Sequence, residues 1–428
     1  MAHPWWPPTV LNRHHQSALV HHAKALSYLR SDIERYGVDG RTTMAATLLF
    51  IVFEYMQGNY HSSGNLIRHG IKVLSNIRGT SGGPESTLHH QRSRYLAATR
   101  DEIDEMADMF ARHSTACAYI PFAHGKFAYH LLFTEEDKDE LDYQGFPDGP
   151  DPYTFDVPQT LEQARRKWDY LLPLLANFHN KAVWHNLHRD YDFDDESSFR
   201  EQALYLAQLR DFGEALDSLV LFSSGDSRDS RALELLRLHH RLATIFMQCC
   251  LDATDMTYDD FLPQFRDVLR RCRALTGALS SAAAAVATPT RAAIKVGFTN
   301  EAGVLFLLAF VGVKCRARRV RLEVLDLLRR HEWREGGWDG TTLASVLKGL
   351  MRLEGQSPTA DDGLDIGGPA VGVGVNSTET EVFPLPETRY TWTNMFWDFE
   401  HRRMSVEYTR VLPNSIGKHE RMTHVMDA

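Results

Sequence analysis

Cysteine is scarce in this chain and carries no pattern. The five cysteines, Cys117, Cys249, Cys250, Cys272 and Cys315, show no CxxC spacing and no even framework. That argues against a structural zinc site and suits a reducing compartment. Long apolar runs are missing too: the longest, Met44 to Phe53, is too short to span a bilayer and ends at Glu54. The opening MAHPWWPPTVLNRHH has no basic region followed by an apolar run and a small-residue cleavage site, so it does not read as a secretory signal. Strand-like alternation is nearly absent and no repeat of fixed period stands out. No HExxH, no GxSxG elbow and no phosphate-binding glycine motif occurs. Classical hydrolase, kinase and dehydrogenase chemistry therefore lacks its parts, and the expectation is no cofactor and no metal. The chain is expected to be intracellular, cytoplasmic if an enzyme and nuclear if a regulator.

What is present is an ordinary globular composition: 428 residues, 43% hydrophobic and 24% charged. The net charge of −9 repels duplex DNA unless local basic patches overcome the field. Two such patches occur, Arg266 to Arg273 (RDVLRRCR) and Cys315 to Arg321 (CRARRVR). Both carry apolar residues at helical intervals, so they read as solvated faces of amphipathic helices, with nucleic-acid contact or a nuclear localisation signal as the alternative.

Helical periodicity dominates, which predicts an all-α fold: a single multi-helix bundle or solenoid-like domain over residues 1–428. Helices are predicted at about Ser17–Tyr36, Thr42–Met56, Ser62–Ile77, Arg100–Cys117, Leu161–Phe178, Ser198–Ser218, Ser230–Cys250, Tyr258–Arg273, Glu301–Lys314, Arg318–Glu332 and Gly340–Glu354. Thr160-Leu-Glu-Gln nearly makes a capping box before the fifth. Loops are expected at Thr80–Thr87 and Glu135–Pro158. A longer one, residues 355–386, is rich in Gly, Pro, Asp and Thr and reads as a mobile loop or lid. After it, Tyr390–Val411 is aromatic and partly alternating, as a short hairpin would be.

The stretch Thr42–Gly79 reads as an apolar helix, a Gly-Asn turn and a second helix. It closely resembles the opening of the fungal-specific transcription factor regulatory domain, which normally follows a zinc binuclear cluster. The likeness recurs along the chain. HHAKALSYLR resembles the preceding helix, YTFDVPQTLEQARRKWDYLL a Phe-containing loop entering an Arg-bearing helix, and ALELLRLHHRLATIFMQCCL the long central helix. VLFLLAFVGVKCRARRVRLEVLDLLRRHEWREGGWDG is similar to the closing signature, an apolar helix, Lys-Cys-Arg and a Glu-Gly-x-Trp-Asp turn. Since no cysteine precedes Cys117, the expectation is a regulatory body without its DNA-binding module and without direct DNA contact.

In that resemblance Glu54, Gly58, His69 and Gly70 occupy the characteristic positions of the helix pair, and all four read as structural. A charge at Glu54 in an apolar helix needs a partner, for which His69 or Arg68 on the next helix is available. Gly58 permits the turn and Gly70 a close helix approach. Trp333 and Trp338 read as packing anchors.

Other constellations lack essential parts. His188-Arg189-Asp190 followed by Asp211-Phe212-Gly213 has the order of kinase motifs, but the position needing Asn holds Asp195. Asp190, Asp192, Asp194 and Glu201 echo a calcium loop whose obligatory Gly is Asp195. Asp194-Asp195-Glu196 also echoes the magnesium-binding carboxylates of helical terpene synthases, without the second metal motif. A solvated acidic helix start accounts for these carboxylates. Tyr55, His61, His113, Trp184, His185 and His188 each lie in or beside an apolar helix and offer a ring or a donor. They are the candidate ligand-binding residues, and no catalytic residue stands out.

Two functions of different class follow. One is a repurposed regulatory domain that binds a hydrophobic secondary metabolite and catalyses a cofactor-independent cyclisation, isomerisation or pericyclic step, for which a shaped pocket suffices. The other is a transcriptional regulator of a biosynthetic gene cluster acting through a DNA-binding partner. Expected partners are a hydrophobic small molecule and a second copy or regulatory protein, with no membrane.

Overall fold

A computed structural model describes residues 13–37, 39–57, part of 62–73, 102–115, 157–188, 195–219, 227–286, 298–299, 303–330, 334–336, 338–358, 383–398, 403–412 and 419–427. The fold is mostly helical. The helices are α1 (Arg13–Tyr36), α2 (Gly40–Gln57), α3 (Glu102–Thr115), α4 (Leu161–His188), α5 (Asp195–Ser218), α6 (Ser227–Cys249), α7 (Leu262–Val286), α8 (Val304–Lys314), α9 (Arg318–Arg330) and α10 (Gly340–Leu353). The described residues between 62 and 73 are also helical. None of the described helices is long and apolar enough to cross a membrane.

The apolar residues fall into two clusters. In α2, Met44, Leu48, Ile51 and Tyr55 recur at helical spacing and meet Ile67 and Phe110 in a small N-terminal cluster. The helices from α4 to α10 and strand β5 share one large core. Its centre is α8, apolar on every side, and all eleven residues from Val304 to Lys314 are buried. A helix without a polar face is stable only where neighbours cover it completely, and α6, α7, α9 and α10 do so.

The Glu-Gly-x-Trp-Asp signature has a physical role in that arrangement. Its ends pair as β2 (Arg334–Glu335) and β3 (Trp338–Asp339), with β1 (Phe298–Thr299) parallel to β2. Glu335 is buried and accepts the backbone N–H groups of Gly303 at 2.9 Å and Leu305 at 3.0 Å, at the start of α8. Asp339 caps α10 by accepting from the N–H groups of Thr341 at 2.7 Å and Thr342 at 3.0 Å. Each carboxylate satisfies donors that a buried helix start would otherwise leave without partners. Trp338 packs edge-on to Phe306, with centroids 6.3 Å apart. Trp333 lies outside the described residues.

Behind α10 the chain forms a three-stranded antiparallel sheet, β4 (Thr391–Asp398), β5 (Arg403–Val411) and β6 (His419–Asp427). Met404, Val406 and Tyr408 alternate inward from β5. The Tyr408 hydroxyl donates to the Val346 carbonyl of α10 at 2.7 Å. A hairpin was the expectation from Tyr390–Val411, and β6 enlarges it. Two helices also outrun their predicted ends: α4 continues past Phe178 to His188, and α7 continues past Arg273 to Val286 behind a 3-10 turn at Thr257–Phe261. Thr160 and Gln163 do form a capping pair: Thr160 Oγ1 accepts from the Gln163 N–H, and the Gln163 side chain accepts from the Gln159 N–H. Residues 359–382 of the predicted lid lie outside the described residues.

One sequence expectation needs correction. The patch Cys315–Arg321 is not a solvated basic face, because Arg316 and Arg321 are among the most deeply buried side chains. Carboxylates on other elements neutralise them, which is what allows a charge inside.

Candidate functional site

A cavity of about 480 Å³ lies between α5, α6 and α7. Leu216, Leu238, Ile245 and Phe261 form its apolar walls, and Arg237, His240, Arg241, Gln248, Gln264 and Arg271 its polar ones. Two of the arginines are matched, Arg241 by Asp267 and Arg271 by Glu234 at 2.8 Å and Asp267 at 2.9 Å, while the buried Nε of Arg237 has no hydrogen-bond partner among the described residues. Arg237 donates to the Leu216 carbonyl at 2.9 Å.

His240 is the most constrained polar group there. Its Nε2 lies 2.7 Å from the Leu209 carbonyl of α5. A carbonyl only accepts, so Nε2 carries the proton and Nδ1 is the acceptor of the neutral ring. Phe212 and Trp168 sit edge-on to the imidazole. On α5 the ring lies against Gly213, where an added Cβ would come within 2.7 Å of it. Burial lowers the His240 pKa, keeping the ring neutral. Asp211-Phe212-Gly213 is thus an internal turn of α5 that seats this histidine, far from the loop geometry of a kinase motif.

A second polar cluster lies where α8, α10 and the C-terminal sheet meet. Asp255 is its node. It has φ of 56°, a left-handed conformation that Asp tolerates better than most residues. Its carboxylate accepts from Lys314 Nζ at 2.8 Å, Arg316 at 3.0 Å and the Thr391 hydroxyl at 3.0 Å. Glu354 accepts from Arg316, Arg321 and the Tyr390 N–H. Arg389 clamps Asp259 with two bonds, at 3.1 and 2.5 Å. Burial raises the Asp255 pKa and lowers that of Lys314; the neighbouring cations reverse the effect for Asp255, leaving it well below the usual carboxylate range. A void of about 40 Å³ adjoins the cluster, room for a few waters. The buried Tyr258 hydroxyl and both ring nitrogens of His179 have no hydrogen-bond partner among the described residues. Burial pushes the His179 pKa down to about 3. The geometry is that of a lock between elements, with every strong charge engaged.

The residues singled out from the sequence occupy different places. Tyr55 and His113 meet in the N-terminal cluster, ring centroids 5.7 Å apart. Trp184, His185 and His188 lie on the last turns of α4. Next to His113, Arg112 holds Asp169 of α4 at 2.7 Å, and from Asp169 to Trp184 an α-helix rises about 22 Å. The two groups are therefore well separated along α4. His61 and Gly58 lie outside the described residues. Glu54 faces His22 of α1 at 4.0 Å rather than His69, which is exposed; Arg68 lies outside the described residues. At Gly70 a Cβ would run into the ring of Phe110, so the two helices meet at van der Waals distance there. Sequence reading did not single out His240, although the pair His239-His240 within the long helix α6 is a signal of the right kind. Among the described residues no group of three or more His, Cys, Asp or Glu side chains is placed to hold a metal ion.

A predominantly helical body with a deeply buried apolar helix and two capping carboxylates defines an all-α domain. The profile of the fungal specific transcription factor domain matches residues 7–340, and the chain belongs to that family. No curated protein and no solved structure matches it.

Proposed function

We propose that this chain is a small-molecule-binding domain whose ligand, an amphipathic secondary metabolite, occupies the α5–α6–α7 cavity. The observation that carries the reading is the cavity itself: about 480 Å³, within the range of ~300–1,000 Å³ typical of small-molecule sites, with apolar walls and a few oriented polar groups. Family membership favours regulation as the consequence of binding, exerted through a DNA-binding partner, with a second copy or a regulatory protein as the contact.

Catalysis is the second reading, and His240 is what favours it. A neutral, oriented acceptor beside an apolar wall is the minimum equipment for a cofactor-independent isomerisation or cyclisation, where holding a reactive conformer supplies much of the rate. The test is deletion of the gene in its host, with neighbouring transcripts and accumulated metabolites measured together. Collapsed transcripts support regulation. Unchanged transcripts with one stalled or misshapen intermediate support catalysis and identify the substrate. No change in either overturns both.

A further inference from the structure

We propose that the α5–α6–α7 cavity selects a flat, conjugated molecule bearing a hydroxyl group, and that His240 Nδ1 accepts the hydrogen bond from that hydroxyl. This deepens the reading of the cavity as a ligand site and rests on it.

Four observations converge. First, the Leu209 carbonyl fixes the proton on Nε2 at 2.7 Å, so the remaining nitrogen of this cavity-lining residue can only accept. No partner for Nδ1 occurs among the described residues. Second, the ring is immobilised by Phe212 at 5.8 Å and Trp168 at 6.4 Å, which removes the entropy cost of orienting an acceptor at the moment of binding. Third, Gly213 sits inside a helix, where glycine costs ~0.5–1 kcal/mol relative to alanine. The close approach of His240 is what the missing Cβ makes possible. Fourth, the charges around the cavity balance. Arg241 and Arg271 are met by Asp267 and Glu234, and Arg237 lies 3.8 Å from Asp217. A multiply charged anion gains little from guanidinium groups already paired. A planar conjugated surface gains more, since guanidinium planes stack on rings and Leu216, Ile245 and Phe261 add apolar walls.

The probes are 2-hydroxyanthraquinone and 2-methoxyanthraquinone, titrated by absorbance against the full-length protein. One neutral hydrogen bond to an oriented acceptor gives about a tenfold preference for the hydroxyl compound, with a red-shifted absorbance band on binding. His240→Phe keeps a ring against Gly213 and removes the acceptor; it is expected to erase the preference and the red shift while leaving the methoxy compound's affinity within twofold. His240→Leu, which also lacks an acceptor, carries the same test should the Phe variant fail to fold: loss of the preference supports the proposal and its retention overturns it. Ile245→Trp fills the cavity and is expected to abolish binding of both probes. If both probes bind equally and Ile245→Trp blocks them, the cavity stands as a ligand site and the His240 assignment is overturned. If the preference survives both His240 variants, it is likewise overturned. If neither probe binds, or Ile245→Trp has no effect, the cavity reading itself fails.

Discussion

The N-terminal helices and the body from α4 onward are held together in different ways. Around α2 an apolar cluster of six buried residues with a few partly buried neighbours is bordered by local polar contacts, Thr47 to the Thr43 carbonyl and Glu54 facing His22. Much is left uncovered: Leu49 is 70% exposed and Tyr36 83%. Polar ties to the body include Arg112 to Asp169 and Arg334 to the Met56 carbonyl at 3.1 Å. In the body, by contrast, directional ionic and hydrogen bonds are buried alongside a large apolar core. Apolar contact stabilises in proportion to area and tolerates sliding, whereas a buried ion network accepts one arrangement and penalises every other. The cavity belongs to the body, on three helices of the core that the network helps to hold.

The largest expected break in this comparison is at Glu354. Glu354→Ala leaves Arg316 and Arg321, both fully buried, without their shared carboxylate. Removing one member of such a network costs ~3–5 kcal/mol, read as a lower urea midpoint for the body.

Acidity sharpens the contrast next. Burial pushes Glu335 up to about 7 and Asp339 up to about 6. Between the ordinary carboxylate range and about pH 7 the folded state therefore holds more protons than the unfolded chain, and stability falls as pH rises through that window. Asp255 works in the other direction: its depressed pKa gives stability that is lost as the solution becomes acidic enough to protonate it. Glu335→Gln keeps an acceptor for the start of α8 and is expected to flatten the slope between pH 5 and pH 7 in equilibrium unfolding. An unchanged slope would remove Glu335 as its source.

The smallest effect belongs to the N-terminal cluster. Gly70→Val pushes against Phe110 and is expected to cost ~1–3 kcal/mol, in line with overpacking elsewhere. Hydrogen exchange should quicken in α2 and α3 while α8 and α10 keep their protection. Faster exchange throughout would mean that the two regions unfold as one.

Helices were legible wherever periodicity and a local breaker coincided. Gly340 through Leu353 is an example: Asp339 caps it, and Gly355, with φ of 72°, follows its end. The far end of α4 was less so. The helix was predicted to end at Phe178, yet beyond it the Asn186 amide donates to the Cys250 carbonyl at 3.0 Å, a tertiary bond that local pattern does not contain. Strand β6 was hidden for a similar reason. HERMTHVMD has weak alternation of its own and is fixed by pairing from Val411↔His419 to Arg403↔Asp427. The basic patch at Cys315–Arg321 misled because the carboxylates that bury it, Asp255 and Glu354, lie far away in sequence. The cavity was invisible for the same reason: its walls come from three helices whose inward residues look like any core.

The region matched by the family profile closes at residue 340, just where α10 begins. The chain's mechanical unit closes much later. Residues of the matched region, Asp255, Asp259 and Arg316, grip Arg389, Tyr390 and Thr391 at the threshold of the C-terminal sheet. The inherited segment and the folding segment therefore have different ends. A chain cut at the inherited boundary would keep the signature, yet the guanidinium groups of Arg316 and Arg321 would lose Glu354 as their counter-charge.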